Sequence, residues 1–350
     1  MRTSSELVTC RRSFALSILL AIVVAIAPTV VAAHHNSGAQ FEMDEQVTLE
    51  GVVTGYEWTN PHVYLFVEAE DGGTSTIWEI EAGPVALMKR LGWSRQTLAI
   101  GDRLAVTANP GKNPDKHELL LVSAQRANTL LPLTRGEAVL KAFTENDVPH
   151  HTNELSGTWV TLLDEEVFSS LEQPPPSQLT EKGATELENF DEKTMHPGIR
   201  CIPATAPVLM LIPDIKSLEI GEQRAWIRGE FDGVERLVHI GSIDAESEPT
   251  LQGHSIGEWQ GEDFIVTTTQ FTDHRMGNGF GVPSGPQKKL LERFTLNPDK
   301  TSLTYHFELT DPEYLATSIS GEVRWAYRPD FQFVLRECDP ENARRFVSNP

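Results

Sequence analysis

The chain is predicted to fold as two β domains in series, a small five-stranded barrel followed by a larger antiparallel barrel or sandwich. Three observations carry this expectation. The length, 350 residues, is that of two domains rather than one. Residues 46–125 read as short runs of alternating apolar and polar positions, interrupted by one short helical segment. From residue 216 onward, runs of the same kind recur between turn residues, with no clear helical pattern among them. The composition, 39% hydrophobic and 23% charged, is ordinary for a globular protein. It excludes wholesale disorder, a collagen and a multi-span membrane protein.

In the first domain, Val47, Leu49, Val52 and Val53 mark a half-buried strand over residues 46–58, with a slip at Gly51 that reads as a bulge. Thr59-Asn60-Pro61-His62 reads as a turn, because a residue before proline is pushed away from the helical region. Residues 63–70 form a second strand, Asp71-Gly72-Gly73 a hairpin turn, and residues 75–80 a third strand. Residues 84–91 read as a helix, with Pro84 at its start and Gly92 after its end. Residues 103–108 and 119–125 are two further strands. Three strands, a helix and two strands is the order of an OB-fold. OB-folds that bind nucleic acid need a basic groove. Here Glu57, Glu68, Glu70, Asp71, Glu79 and Glu81 crowd the domain, and the whole chain carries 29 Lys+Arg against 50 Asp+Glu, a net charge of -21. A nucleic-acid partner and an anionic membrane surface are therefore excluded.

The second domain opens at Leu155-Ser156-Gly157-Thr158-Trp159, where Gly-x-Trp is a pattern of lipocalin-like barrels, the Trp plugging one end. Residues 171–213, with Pro174, Pro175, Pro176, Pro203, Pro207 and Pro213, read as a long covering segment rather than core. Residues 225–231, 235–241, 250–259, 264–271, 288–296, 302–309, 321–327 and 331–337 read as strands. About eight strands fit a barrel that holds side chains or one small ligand. The fold class is thus mainly β: a small OB-fold-like barrel over 34–128, a linker over 129–153, a larger antiparallel lipocalin-like barrel or sandwich over 154–340, and a tail over 341–350.

Residues 1–33 read as a secretory signal. Arg11 and Arg12 precede an apolar run over 14–27, Pro28 breaks it, and Val31-Ala32-Ala33 offers small residues for cleavage. An uncleaved anchor is the alternative, although the run is short for a span of ~20 residues. Cleavage would remove three arginines and one glutamate and take the net charge from -21 to -23. It would also leave Cys201 and Cys338 as the only cysteines, which in an exported protein points to a disulfide. It would place His34 at the new N-terminus, followed by His35. The α-amine and imidazole of His34 form a chelate suited to Cu(II), with His35 and His62 as further candidate ligands.

Two resemblances appear. His34-His35, the run Val47-Thr48-Leu49-Glu50-Gly51-Val52-Val53 and the run Glu57-Trp58-Thr59-Asn60-Pro61-His62 resemble the DUF6152 family of exported bacterial proteins. Gly83-Pro84, Arg90, Gly92-Trp93 and Gly101-Asp102 continue that likeness, which covers about residues 33–126. It implies a small exported β-barrel domain with no established activity, and makes His62 a natural candidate site residue. Further on, Gly253-His254-Ser255-Ile256-Gly257-Glu258-Trp259-Gln260-Gly261-Glu262-Asp263 resembles a hairpin of uncharacterised exported bacterial β-barrel proteins. Leu291-Glu292-Arg293-Phe294 and Asp311-Pro312 extend it. In that pattern a His stands shortly before the Glu-Arg-Phe strand, whereas Pro283-Ser284-Gly285-Pro286 has none here.

The hairpin places His254, Ile256 and Glu258 on one strand face. His254 with Glu258 or Glu292, joined by Asp273 and its neighbour His274, is a candidate acid/base set. Ser255 lies within a strand and so is not a hydrolase elbow. No P-loop, dinucleotide fingerprint, zincin motif or CxxC occurs. Three readings follow. The first is an envelope β-barrel protein that binds a small, largely apolar molecule. The second is a lipocalin-like enzyme using His254. The third is a copper protein using His34.

Overall fold

The structure, a computed structural model, describes residues 40–127, 129–132, 134, 149–162, 174–212, 214–230, 233–241 and 248–345. Five strands close the first barrel: β1 (Val47–Glu57), β2 (Tyr64–Asp71), β3 (Thr74–Glu81), β4 (Arg103–Pro110) and β5 (Glu118–Arg126). Their order is β3-β2-β1-β4-β5, and a parallel β3–β5 pairing completes the ring. A short β6 (Thr129–Leu130) pairs with β5. Helix α1 (Val85–Arg90) lies between β3 and β4, as in the OB-fold order read from the sequence. Inward positions Val53, Leu65, Val67, Ile80, Val106 and Leu121 have no accessible surface. The bulge in β1 falls between Val53 and Gly55, not at Gly51. Gly51 is needed instead for close approach, since a Cβ there would lie 2.4 Å from the Glu68 carbonyl oxygen.

The larger barrel has nine strands. They include β7 (Gly157–Thr161), β8 (Ile215–Ile220), β9 (Arg224–Gly229), β10 (Val234–Ile240), β11 (His254–Gln260) and β12 (Asp263–Thr269). A separate hairpin, β13 (His274–Gly279) with β14 (Val282–Ser284), follows; then β15 (Lys289–Leu296), β16 (Ser302–Thr310) and β17 (Ile319–Tyr327) close the ring through β7. Every neighbour in the ring is antiparallel except β10–β11, which is parallel. The connection over 241–253 has the length that such a crossover requires. Residues 331–337 do not form the expected eighth strand. The ring is already closed by β17–β7, so no edge is left for them to join. They run as an extended strap instead.

Side chains fill the larger barrel. Val238, Val266, Leu290, Phe294, Leu303, Tyr305 and Trp325 leave no accessible surface, and Tyr305 stacks on Trp325 at 5.4 Å. Trp159 is fully buried, donates its indole N–H to the Leu155 carbonyl (2.9 Å) and packs on Tyr327. The proline-rich segment is more than a cover, because Ala206, Leu209, Met210 and Leu211 join this core. Its helix α2 (Glu181–Glu188) is capped by Thr180, whose Oγ1 accepts from the Gly183 N–H.

Cys201 and Cys338 are disulfide-bonded, Cα to Cα 5.8 Å. Beyond Cys338 the chain crosses to the first barrel with α3 (Pro340–Ala343). The Asp339 N–H donates to Asn60 O at 3.1 Å, and Asn342 Nδ2 donates to His62 O at 3.3 Å. Arg345 pairs with Glu57 at 2.6 Å and lies over the Tyr64 ring. The signal segment, most of the linker over 129–153 and the last five residues lie outside the described residues. No helix among the described residues is long and apolar enough to cross a membrane.

Candidate functional site

A cleft of about 620 Å³ opens where the first barrel meets the strap. The end of β1 and the turn after it supply Trp58, Thr59 and Asn60. Asn60 fixes this turn on two sides. Its Oδ1 accepts from the Val85 N–H at 3.1 Å, and its carbonyl accepts from Asp339. Helix α1 then presents Val85 and, in its last turn, Lys89 to the cleft. The loop after α1 adds Ser94, Arg95 and Gln96, and is tied down because the Tyr56 hydroxyl donates to the Ser94 carbonyl at 3.0 Å. Burial pushes the Tyr56 phenol well up, so it stays a donor. Leu335 and Glu337 of the strap form the remaining wall. The lining combines apolar surface from Trp58, Val85 and Leu335 with the charged groups of Lys89, Arg95 and Glu337.

Behind the cleft, a buried charge network joins the two barrels. Arg90 of α1 reaches Glu230 at 2.5 Å, and Arg336 of the strap reaches Asp214 at 3.3 Å and Glu230 at 3.5 Å. Lys216 donates to the Ile212 carbonyl at 2.8 Å. Burial pushes Glu230 up to about 7, and neighbouring Asp214 adds to this. Burial alone would raise Asp214, but Arg336 and Lys216 hold it below its ordinary value. Burial brings Lys216 down to about 8.

A second network lies inside the larger barrel. Arg236 forks onto Glu292 through bonds of 2.9 and 2.6 Å, and the Tyr305 hydroxyl donates to the same carboxylate at 3.0 Å. Near the β13–β14 hairpin, buried Lys288 donates to Gly277 O, Ala206 O and Thr205 Oγ1. Burial brings it down to about 7.

The residues singled out in the sequence fall in different places. His254 is half-exposed and Glu258 exposed on the outer face of β11, with His254 Nε2 2.7 Å from Glu248 O. Glu292 points inward, because it pairs with Val266, which pairs with Gly257 on the buried parity of β11. The barrel wall therefore separates Glu292 from His254 and Glu258. Asp273 is exposed on the loop before β13. Its neighbour His274 is buried, accepts at Nδ1 from the Met276 N–H, and its Nε2 lies 3.1 Å from Pro203 O. Burial and Lys288 bring it down to about 4, which keeps it neutral. His62 is buried, with Nδ1 3.2 Å from both Ala82 O and Glu81 Oε1. His34 and His35 lie outside the described residues. Among the described residues no group of three or more His, Cys, Asp or Glu is placed to hold a metal ion.

Arg236 is not among the residues that the sequence singled out and Glu292 is named there only as an acid/base candidate, yet a signal for their inward pairing exists. Arg236 sits two residues from Val234 and from Val238, and Glu292 two from Leu290 and from Phe294. A charge on the apolar parity of a strand marks an inward ion.

Fold and cleft together define a two-barrel β-protein with a cleft between its first barrel and the strap. Residues 22–120 match a family described as "Family of unknown function (DUF6152)", which covers most of the first barrel and the Trp58–Asn60 side of the cleft. No curated protein matches the chain.

Proposed function

We propose that the chain is an exported envelope protein that binds a small, largely apolar molecule, and that it does so in the cleft between the first barrel and the strap. The observation that carries this is the cleft itself. Its volume, about 620 Å³, falls in the range of small-molecule sites. The larger barrel is the other natural place for a ligand, but Tyr305, Trp325 and the Arg236–Glu292 pair already occupy its interior. Val85, Leu335 and the indole of Trp58 give the cleft its apolar surface. Export rests on the charged start and apolar run over 11–27, and the likeness of the 253–263 hairpin to other exported proteins agrees with it.

Native mass spectrometry of the protein recovered from the periplasm, before and after denaturation, tests this reading. The expected result is an organic adduct that denaturation releases and that a cleft-filling Val85→Trp variant lacks. An adduct kept in full by Val85→Trp would place the ligand elsewhere, and a bare protein mass under native conditions would count against binding. The denatured mass also reports whether residues 1–33 have been removed.

A further inference from the structure

We infer that the ligand of the cleft carries an anionic group, a carboxylate or another oxyanion, at one end of an apolar body. This rests on the cleft being the binding site and goes on to name the chemical class that it selects.

Charge is the first ground. The chain carries a net charge of -21, so its surface as a whole repels anions. The cleft runs against that field. Two cations line it, Lys89 and Arg95, against one carboxylate, Glu337. The second ground is that, among the described residues, these two cations are left out of the ion pairs that hold the fold together. Arg90, Arg126, Arg228, Arg236, Arg293 and Arg336 each pair with a carboxylate within 4.0 Å. Lys89 and Arg95 have no such ion pair among the described residues, although Glu337 shares the cleft with them. Their neighbour Arg90 leaves the same helix toward Glu230, so α1 divides its two final cations between the buried network and the open cleft.

Geometry is the third ground. Lys89 stands one helical turn from Val85, and residues four apart share a helix face. An apolar contact and a cation are thereby presented side by side. The loop carrying Arg95 is fixed at Ser94, which receives the Tyr56 hydroxyl and whose N–H donates to Thr97 Oγ1 at 2.8 Å. Ser94 and Gln96 add neutral hydrogen-bonding groups beside it. An anion held between Lys89 and Arg95 leaves its apolar body against Val85, Trp58 and Leu335.

The test uses the full chain and two probes of one shape, 2-naphthoate and neutral 2-naphthamide, titrated calorimetrically. The expected result is that naphthoate binds about tenfold more tightly, the scale of two partly screened ion pairs. Its affinity falls as salt is raised. In Lys89→Gln/Arg95→Gln the preference collapses to within about twofold. In Arg224→Gln/Lys289→Gln, which makes the same charge change outside the cleft, the preference is kept. Equal binding of both probes, abolished by Val85→Trp, would overturn the anion class and leave the cleft as the site. No binding of either probe would overturn the class and the cleft reading together. A preference that survives Lys89→Gln/Arg95→Gln would show that the anion is held elsewhere.

Discussion

Arg236 and Glu292 show what one inward charge demands of a barrel. Each is fully buried, and each is paired within the wall that hides it. Removing one partner strands the other in a medium that cannot solvate it, so Arg236→Met is expected to cost about 3–5 kcal/mol of stability. The double variant Arg236→Met/Glu292→Leu removes both charges and is expected to return to wild-type stability or above it. Urea denaturation of the three proteins checks this, and a double variant no better than the single one would show that the pair contributes more than mutual neutralisation. Lys288 makes a different prediction. Burial takes its ammonium from 10.5 down to about 7, so between those values the unfolded chain binds a proton that the folded chain does not. Stability from this residue therefore rises as pH climbs from about 7 toward 10.5. Thermal melts across that interval are expected to show wild type gaining on Lys288→Met, and parallel pH profiles would refute it.

At the scale of elements, alternation carried most of the fold. The five strands of the first barrel and its helix were legible because each segment has one buried face, and a period of two or of 3.6 records that directly. The residues that failed to read correctly failed for a tertiary reason. Residues 331–337 alternate like a strand, but a strand needs an open edge, and closure through Gly157–Thr161 removes it. The parallel β10–β11 pairing depends on where a connection lands, which no local pattern encodes. The cleft was invisible for the same reason: Trp58, Lys89, Arg95 and Leu335 meet only because the strap crosses from one barrel to the other. Trp58 and Asn60 did stand in a motif noticed from the sequence, whereas Leu335 lay in a segment read as a strand. The cysteine pair was legible by elimination, and it anchors the strap across a separation of 137 residues. On the chain-entropy model a loop of that size is worth roughly 5 kcal/mol. Cys201→Ser/Cys338→Ser is expected to lose several kcal/mol of that in a denaturant titration. An unchanged midpoint would mean that the strap is held entirely by its other contacts.

The whole molecule is joined by a few contacts whose removal can be ordered. Leu87 of α1 packs against Val160 and Ile215 of the larger barrel together with Phe331 and Phe333 of the strap. Arg90 bonds Glu230 beside this apolar seam, and the strap continues onto Asn60, His62, Tyr64 and Glu57. Each barrel has a closed ring and a core of its own, so each has the means to remain folded when the other melts. What makes them melt together is the seam and the strap. The intact protein is therefore expected to unfold in one calorimetric transition. Breaking the disulfide alone lowers that transition, because Arg90, Glu230 and the apolar seam still couple the rings. Adding Arg90→Ala to the cysteine variant removes the charged contact and leaves Glu230 buried without its nearest cation. The barrels should then melt separately, giving two endotherms, and the cleft between the first barrel and the strap should come apart at the first. A single endotherm in the combined variant would mean that the apolar seam alone is enough to couple them, and Leu87→Ala would be the next contact to remove.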